Sequence, residues 1–193
     1  MDRELAQFQM ETILGPDLEP FKTFILDHMS RAKGKYFESK SMFNLLKQKD
    51  PNYLALKLTD FLGSSHDVAF REVCAELLHK LLADDNDDCD DDLCTWNNLS
   101  VSTQSTIKCF LIDYIEQEVS ESEFIIQELR NTILYLAVSL VPDNNWPELM
   151  PFLMCCITSG SNKLKVLAFL IYGLIADRIT VVCSLCNHNS LMH

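Results

Sequence analysis

The densest group of potential metal ligands is an acidic stretch between residues 84 and 92. It holds seven Asp, with Asn86 and Cys89 between them. Carboxylates spaced along a short loop are the ligands that calcium prefers. A calcium loop of the EF-hand type beginning at Asp84, however, would put Cys89 where Gly is needed and Thr95 where a bidentate Glu is needed. A solvated, self-repelling loop between two helices is therefore the prediction. Weak cation binding or a basic partner is the alternative.

A second group of potential ligands lies near the end of the chain. Cys183, Cys186 and His188 have the types and spacing of part of a zinc site. A structural zinc ion needs a complete tetrahedral set, and His193 is the nearest candidate for the missing ligand. We predict that no metal is bound.

The remaining residues do not form a recognisable catalytic constellation. His28, His66 and His79 are scattered along the chain, and the sequence contains no GxSxG, P-loop or GxGxxG motif. Nucleophilic catalysis needs a nucleophile, a base and an orienting group close together. The prediction is a protein without catalytic residues or cofactors, and not an enzyme.

Composition narrows the possible partners. The formal net charge is −12, so phosphate backbones and anionic lipids would be repelled at long range. A basic protein is a more plausible partner than nucleic acid.

The longest apolar stretch, 166–176, is too short to span a bilayer, and the N-terminus lacks the features of a secretory signal. No membrane insertion is expected, and the 8 Cys are expected to be thiols in a reducing compartment.

Helical spacing of apolar residues is the main structural signal. It is clearest between Asp67, a predicted N-cap, and Leu82. A second helix is predicted from the cap Asp50 and Pro51 to Gly63. Further helices are predicted at 38–47, from Ser100 or Ser102 to about 115, at 121–140, from Pro147 to about 157, and from Ser161 to about 176.

The predicted helices form units of similar length. Pro51, Ser102 and Pro147 lie 51 and 45 residues apart, which is close to the period of HEAT and armadillo repeats. The predicted fold is an all-α solenoid of HEAT repeats, with about three and a half helix pairs in a right-handed superhelical stack. A bundle of six or seven helices is the competing architecture.

Two tryptophans stand just before predicted helices, at equivalent repeat positions. Trp96 and Trp146, the latter followed by Pro147, are predicted to pack one helix pair against the next. An exposed binding hot spot is the alternative.

Several segments resemble the N-terminal HEAT repeats of importin-β-type nuclear transport receptors. They are FNLLKQKDP (43–51), AFREVCAELLHKLL (69–82) and PDNNWPELMPF (142–152), together with ILGPDLEPF (13–21) and LSVSTQSTIK (99–108). The likeness is nearest to the importin-5, or importin β-3, branch and to its plant form. It covers residues 1–178, and NWPEL at 145–149 is its most specific part. Residues 179–193 depart from the family and are predicted to be a poorly packed tail. Residues 31–36 are more basic than the family pattern.

The resemblance implies a receptor that carries cargo with basic import signals from cytoplasm to nucleus. Its N-terminal repeats would bind the GTP-bound form of the small GTPase Ran through the second helix of each pair. We take these helices to be the ones beginning near Pro51, Ser102 and Pro147. The candidate Ran contacts on them are Lys57, Asp60, Gln104, Lys108 and Glu148.

The chain is expected to be an N-terminal fragment of such a receptor, with cargo carriage impaired. A HEAT scaffold or adaptor that does not use Ran is the alternative function.

Overall fold

Helices form all of the regular secondary structure in the residues that the computed structural model describes. These are residues 3–83, 94–117 and 122–189, with side chains described for 4–83, 95–116 and 122–176. The helices are α1 (Arg3–Leu14), α2 (Glu19–Met29), α3 (Lys33–Lys49), α4 (Pro51–Ser64), α5 (Val68–Leu82), α6 (Cys94–Asn97), α7 (Val101–Gln117), α8 (Glu123–Leu140), α9 (Leu149–Thr158) and α10 (Asn162–Asn189). The all-α fold class predicted from the sequence is confirmed.

The helices pack as successive pairs inside two compact units, residues 1–107 and 108–193. In the first unit α2 packs along α3 and α4 packs along α5, while α1 contacts α2, α3 and α4. In the second unit α10 packs against both α8 and α9. The contact between α3 and α4 is much smaller than that between α4 and α5. The pairs are therefore α2–α3, α4–α5 and α9–α10.

These three pairs share one kind of turn. In each, three residues join the helices, and the first of the three is a serine with extended backbone, namely Ser30, Ser65 and Ser159. Each serine Oγ accepts a hydrogen bond from the N–H two residues later: Ala32 at 3.2 Å, Asp67 at 3.3 Å and Ser161 at 3.3 Å. Such serine turns reverse the chain without help from distant residues. Their recurrence agrees with a helical repeat.

The predicted caps and apolar faces of α4 and α5 are confirmed. The Asp50 carboxylate accepts from the Tyr53 N–H at 3.0 Å, and the Asp67 carboxylate accepts from Ala69 and Phe70 at 3.0 and 3.3 Å. The buried residues of the two faces include Leu54, Leu58, Phe61 and Leu62 on α4, and Phe70, Cys74, Leu77, Leu78 and Leu81 on α5. Helices α1 and α2 were not predicted, although Phe21, Phe24 and Ile25 of α2 are buried.

Aromatic rings link α2 to the α4–α5 pair. Phe21 stacks on Phe61 with ring centroids 5.0 Å apart, and Phe61 lies 5.6 Å from Phe70. Ring pairs at these separations add to the stabilisation that burial provides. This contact orients α2, and with it α3, against the second pair.

Helix α8 ends in a turn that uses the left-handed region of backbone space. The N–H of Asn145 donates to Leu140 O at 2.8 Å and that of Asn144 donates to Val141 O at 3.0 Å, which are the bonds of a Schellman motif. Asn144 takes the left-handed position with φ 55°, a conformation that Asn tolerates better than most residues. The sequence predicted that this helix ends at 140, and α8 ends at Leu140, two residues before Pro142.

Helix α10 continues to Asn189, beyond the end near 176 that the sequence predicted; residues 190–193 lie outside the described range. The poor packing predicted for residues 179–193 stays a prediction. Cys74 and Cys156 are buried, whereas Cys109 and Cys155 are exposed. Among the helices that the structure describes, none is long and apolar enough to cross a membrane.

Candidate interaction surface

The observed pairing changes which helices are second in each pair. The sequence prediction, following the family resemblance, took α4, which begins at Pro51, to be the second helix of a pair. Asp50 instead forms a corner between pairs, and α4 is the first helix of the α4–α5 pair. The same shift makes α9 a first helix. The second helices are α3, α5 and α10, so the assignment of Lys57, Asp60 and Glu148 to second helices is wrong.

Lys57 points into the first unit. Its side chain is 7% exposed, and its Nζ donates to the carbonyls of Ile13, Gly15 and Asp17 at 3.2, 2.5 and 3.5 Å. These carbonyls lie at and just beyond the C-terminal end of α1, where a helix leaves acceptors unpaired and favours positive charge. Lys57 therefore holds α1 on α4, and it is not the exposed side chain that the sequence prediction assumed.

Burial lowers the pKa of Lys57, and the nearby carboxylates of Asp17 and Asp60 partly offset that change. The same two carboxylates help to keep the ammonium charged beside the helix end. Asp60 itself is exposed on α4, so its side chain is accessible to a partner.

Gln104 and Lys108 also donate to main-chain carbonyls. Gln104 Nε2 lies 2.9 Å from Trp96 O and 3.3 Å from Leu99 O, just beyond the short helix α6. Lys108 Nζ lies 2.5 Å from Asn145 O, in the turn that follows α8. Burial lowers the pKa of Lys108, while Glu148 and Cys109 raise it. These donors hold turns in place within their own units.

The remaining sequence-predicted residues divide by exposure. Trp96 and Trp146 are each 1% exposed, whereas Pro147 and Glu148 are exposed. Trp146 Nε1 has no hydrogen-bond partner among the described residues. The five Ran-contact assignments stay predictions.

A groove of about 940 Å³ lies on the faces of the second helices α3 and α5. We call it the basic groove, because its charged walls are Lys40, Lys47 and Lys49 of α3 and Lys80 of α5. Its other lining residues are His28, Tyr36, Phe43, Asn44, Gln48, Asp50, Pro51, Asn52, Leu77, Ala83, Thr95 and Asn98. Sequence analysis missed this site. The signal was the charge of residues 31–49, which hold six Lys or Arg and a single Glu in a chain of net charge −12.

His28 lies at the inner side of the groove. Its ring Nδ1 is 3.1 Å from Ser39 Oγ, and that hydroxyl donates to Phe24 O at 3.2 Å. Because the hydroxyl proton is already used, Nδ1 must carry the proton of the neutral ring. Burial lowers the pKa of His28, Lys80 and Lys40 lower it further, and Glu76 opposes them.

The depressed pKa of His28 predicts a loss of stability in mild acid. Below its ordinary pKa of 6.5 the unfolded chain takes up a proton before the folded chain does, so the free energy of unfolding falls as pH falls through the interval down to the folded pKa. We expect His28→Asn to flatten this fall. Urea unfolding at pH 7.5, 6.5 and 5.5 (chosen about one unit either side of the ordinary value) measures it. The matched change at exposed His66 should leave the fall intact, and an equal slope in both variants would contradict the assignment.

The described residues form no cluster of potential metal ligands. No three His, Cys, Asp or Glu side chains there are placed to hold an ion. The acidic stretch 84–92 and His193 lie outside the described residues, as do the side chains of Cys183, Cys186 and His188. What those groups bind stays a sequence prediction.

Comparison with known proteins finds sequence similarity to an importin homolog. A protein described as "Probable importin-5 homolog" from Dictyostelium discoideum is 25% identical to this chain over 151 residues. The matched region covers 78% of this chain but 14% of that protein. No family model and no solved structure matches the chain. Over those 151 residues the chain is similar in sequence to one segment of that importin-5 homolog.

Proposed function

We propose that this chain is part of an importin-β-type nuclear transport receptor of the importin-5 branch and binds the GTP-bound form of Ran. The observation that carries the proposal is the similarity to an importin-5 homolog across 78% of the chain. The serine-turned helix pairs support it, because HEAT receptors are built from such pairs. The proposed role is binding and not catalysis.

The proposal for the whole receptor is broader than the one for these residues. Because the chain spans 14% of the relative's length, carriage of cargo and movement between cytoplasm and nucleus are proposed only for a full-length receptor. For the residues described here we propose recognition of the GTPase.

We place this recognition on α3 and α5. The resemblance assigns partner contacts to the second helix of each pair, and these are the second helices of the first unit. Their polar side chains Lys40, Asn44, Gln48 and Lys80 are exposed, whereas Lys57 on α4 is buried. Exposed charges at the rim of an interface influence association rate and partner choice more than they influence stability.

A pull-down with immobilised Ran tests the proposal. We expect the chain to prefer GTP-loaded over GDP-loaded Ran by at least about tenfold, which corresponds to about 1.4 kcal/mol. Lys40→Glu on α3 should weaken capture, while Asp60→Lys on the first helix α4 should change it by less than about twofold, since it lies outside the proposed contact.

Equal capture by both nucleotide forms would contradict the proposal and would favour a Ran-independent HEAT scaffold. If Asp60→Lys weakens Ran capture more than Lys40→Glu does, Ran binding would stand, but the contact would lie on α4 and not on α3 and α5.

A further inference from the structure

We propose that the basic groove binds an extended, acidic segment of a partner protein. The inference rests on the groove itself and holds whether or not the partner is a GTPase. It identifies a recognition chemistry, carboxylates on an extended chain, that neither the overall charge nor the similarity to an importin indicates.

Charge segregation is the first support. Lys40, Lys47, Lys49 and Lys80 line one concave surface, while the chain as a whole has net charge −12. Among the described residues neither Lys40 nor Lys49 forms an ion pair, and Lys80 pairs with Glu76. Asp50 is the carboxylate in the groove lining, and the Tyr53 N–H already donates to it. Like charges placed together in a concavity create a local field that attracts the opposite charge.

The shape and the uncharged lining favour a polypeptide. The lining follows α3 from Tyr36 to Lys49, a helical distance of roughly 20 Å, which an extended chain of about six residues would span. Phe43 and Leu77 are buried beneath the lining, while the exposed carboxamides of Asn44, Gln48 and Asn98 offer both donors and acceptors. Main-chain amide groups of a peptide need such partners when they leave water.

Nucleic acid fits the groove less well. The basic residues that line it are lysines, with no arginine among them, and arginine is the side chain whose planar fork matches phosphate. The net charge of −12 would also oppose the approach of a polyphosphate. A short acidic peptide brings fewer charges and can place them beside the lysines.

The test uses fluorescence anisotropy with a labelled peptide of twelve residues in which Asp and Glu alternate with Leu and Ser. We expect micromolar binding that weakens as salt is raised, and no binding of the same peptide with Asn and Gln in place of the acids. Lys40→Glu combined with Lys49→Glu should weaken binding by at least about tenfold. The matched control is Lys33→Glu, because Lys33 is an exposed lysine of α3 outside the groove lining, and it should change the affinity by less than about twofold. Circular dichroism of each variant confirms that it is folded.

Four results would overturn the inference. If the neutral peptide bound as tightly as the acidic one, charge would play no part in recognition. If Lys33→Glu lost as much affinity as the double variant, the effect would come from the net charge of the chain and not from the groove. Tighter binding of a single-stranded oligonucleotide of equal charge would identify a phosphate site. Binding that appears only after the seven Asp of 84–92 are changed to Asn would make that stretch the occupant instead of a partner. The Ran pull-down plays no part in this assay, so either proposal can fail alone.

Discussion

Replacing Trp146 by Ala should destabilise the second unit by about 3–5 kcal/mol, the usual loss for a buried Trp cut back to Ala. The side chain is 1% exposed, so the surrounding residues would have to close a large cavity or leave it empty. Urea unfolding of the chain measures the effect. A loss under about 0.5 kcal/mol, the range of surface substitutions, would show that Trp146 does not support the packing of its unit.

Trp146→Phe should destabilise the unit much less than Trp146→Ala. Trp146 Nε1 has no hydrogen-bond partner among the described residues, so Phe removes a buried donor that forms no bond there, and it retains most of the apolar ring. The chain has 2 Trp, one in each unit, so each Trp→Phe variant leaves a single fluorophore. Trp146→Phe then reports unfolding of the first unit through Trp96, and Trp96→Phe reports the second. A loss in Trp146→Phe equal to that in Trp146→Ala would contradict the role given to the ring.

Replacing Lys57 by Met should destabilise the first unit by about 2–3 kcal/mol, because hydrogen bonds from charged donors contribute about 1.5–3 kcal/mol and water can replace some of them. Met keeps the apolar stem but leaves the carbonyls of Ile13, Gly15 and Asp17 without the ammonium. Replacing a buried ion by an apolar residue can be neutral when its partners are removed as well, but here the carbonyls remain. Amide hydrogen exchange should rise first at the α1–α2 turn.

Lys22→Met is the control for Lys57→Met. Lys22 is a lysine of the same unit whose side chain is 44% exposed and pairs with Glu19 at 2.6 Å, and surface pairs of this kind contribute about 0–1 kcal/mol. Equal losses in the two variants, or no change in exchange near α1, would show that the Lys57 contacts do not hold that helix.

Local signals predicted individual helices well. The carboxylates of Asp50 and Asp67 act on N–H groups within three residues, and the apolar faces of α4 and α5 follow the helical period, so short-range patterns were sufficient to find them. Helix α2 was missed because its N-cap residue, Leu18, makes no side-chain capping hydrogen bond and its apolar face is short.

The pairing of helices depends on more than their boundaries. Asp50-Pro51 and the serine turns look alike as interruptions of a helical pattern, yet the first forms a corner and the others form hairpins. The distinguishing feature is a Ser whose Oγ accepts from the second residue after it, as at Ser65 and Ser159. That pattern is visible in the sequence only once three copies are compared.

The candidate surface was the least predictable part. In the sequence, Lys57, Gln104 and Lys108 look like exposed polar residues of a helix. The carbonyls that Lys57 and Lys108 bind lie 37 to 44 residues away along the chain. The partner of Gln104 lies in the preceding turn. No pattern local to α4 or α7 indicates those carbonyls. The basic groove needs α3 and α5 to be brought together, and that juxtaposition follows from pairing.

The single-residue corner at Asp50 has a consequence for binding kinetics. The Asp50 N–H donates to Leu46 O at 3.0 Å and ends α3. Its carboxylate caps the start of α4 by accepting from the Tyr53 N–H. Pro51 then fixes its own φ angle. The rim of the basic groove formed by 49–51 is therefore rigid before any ligand arrives. The ordering penalty of docking falls mainly on the lysine side chains, at about 0.5–1.5 kcal/mol for each one immobilised. Association should then be limited by electrostatic encounter instead of by rearrangement, and a Gly inserted after Lys49 should slow it.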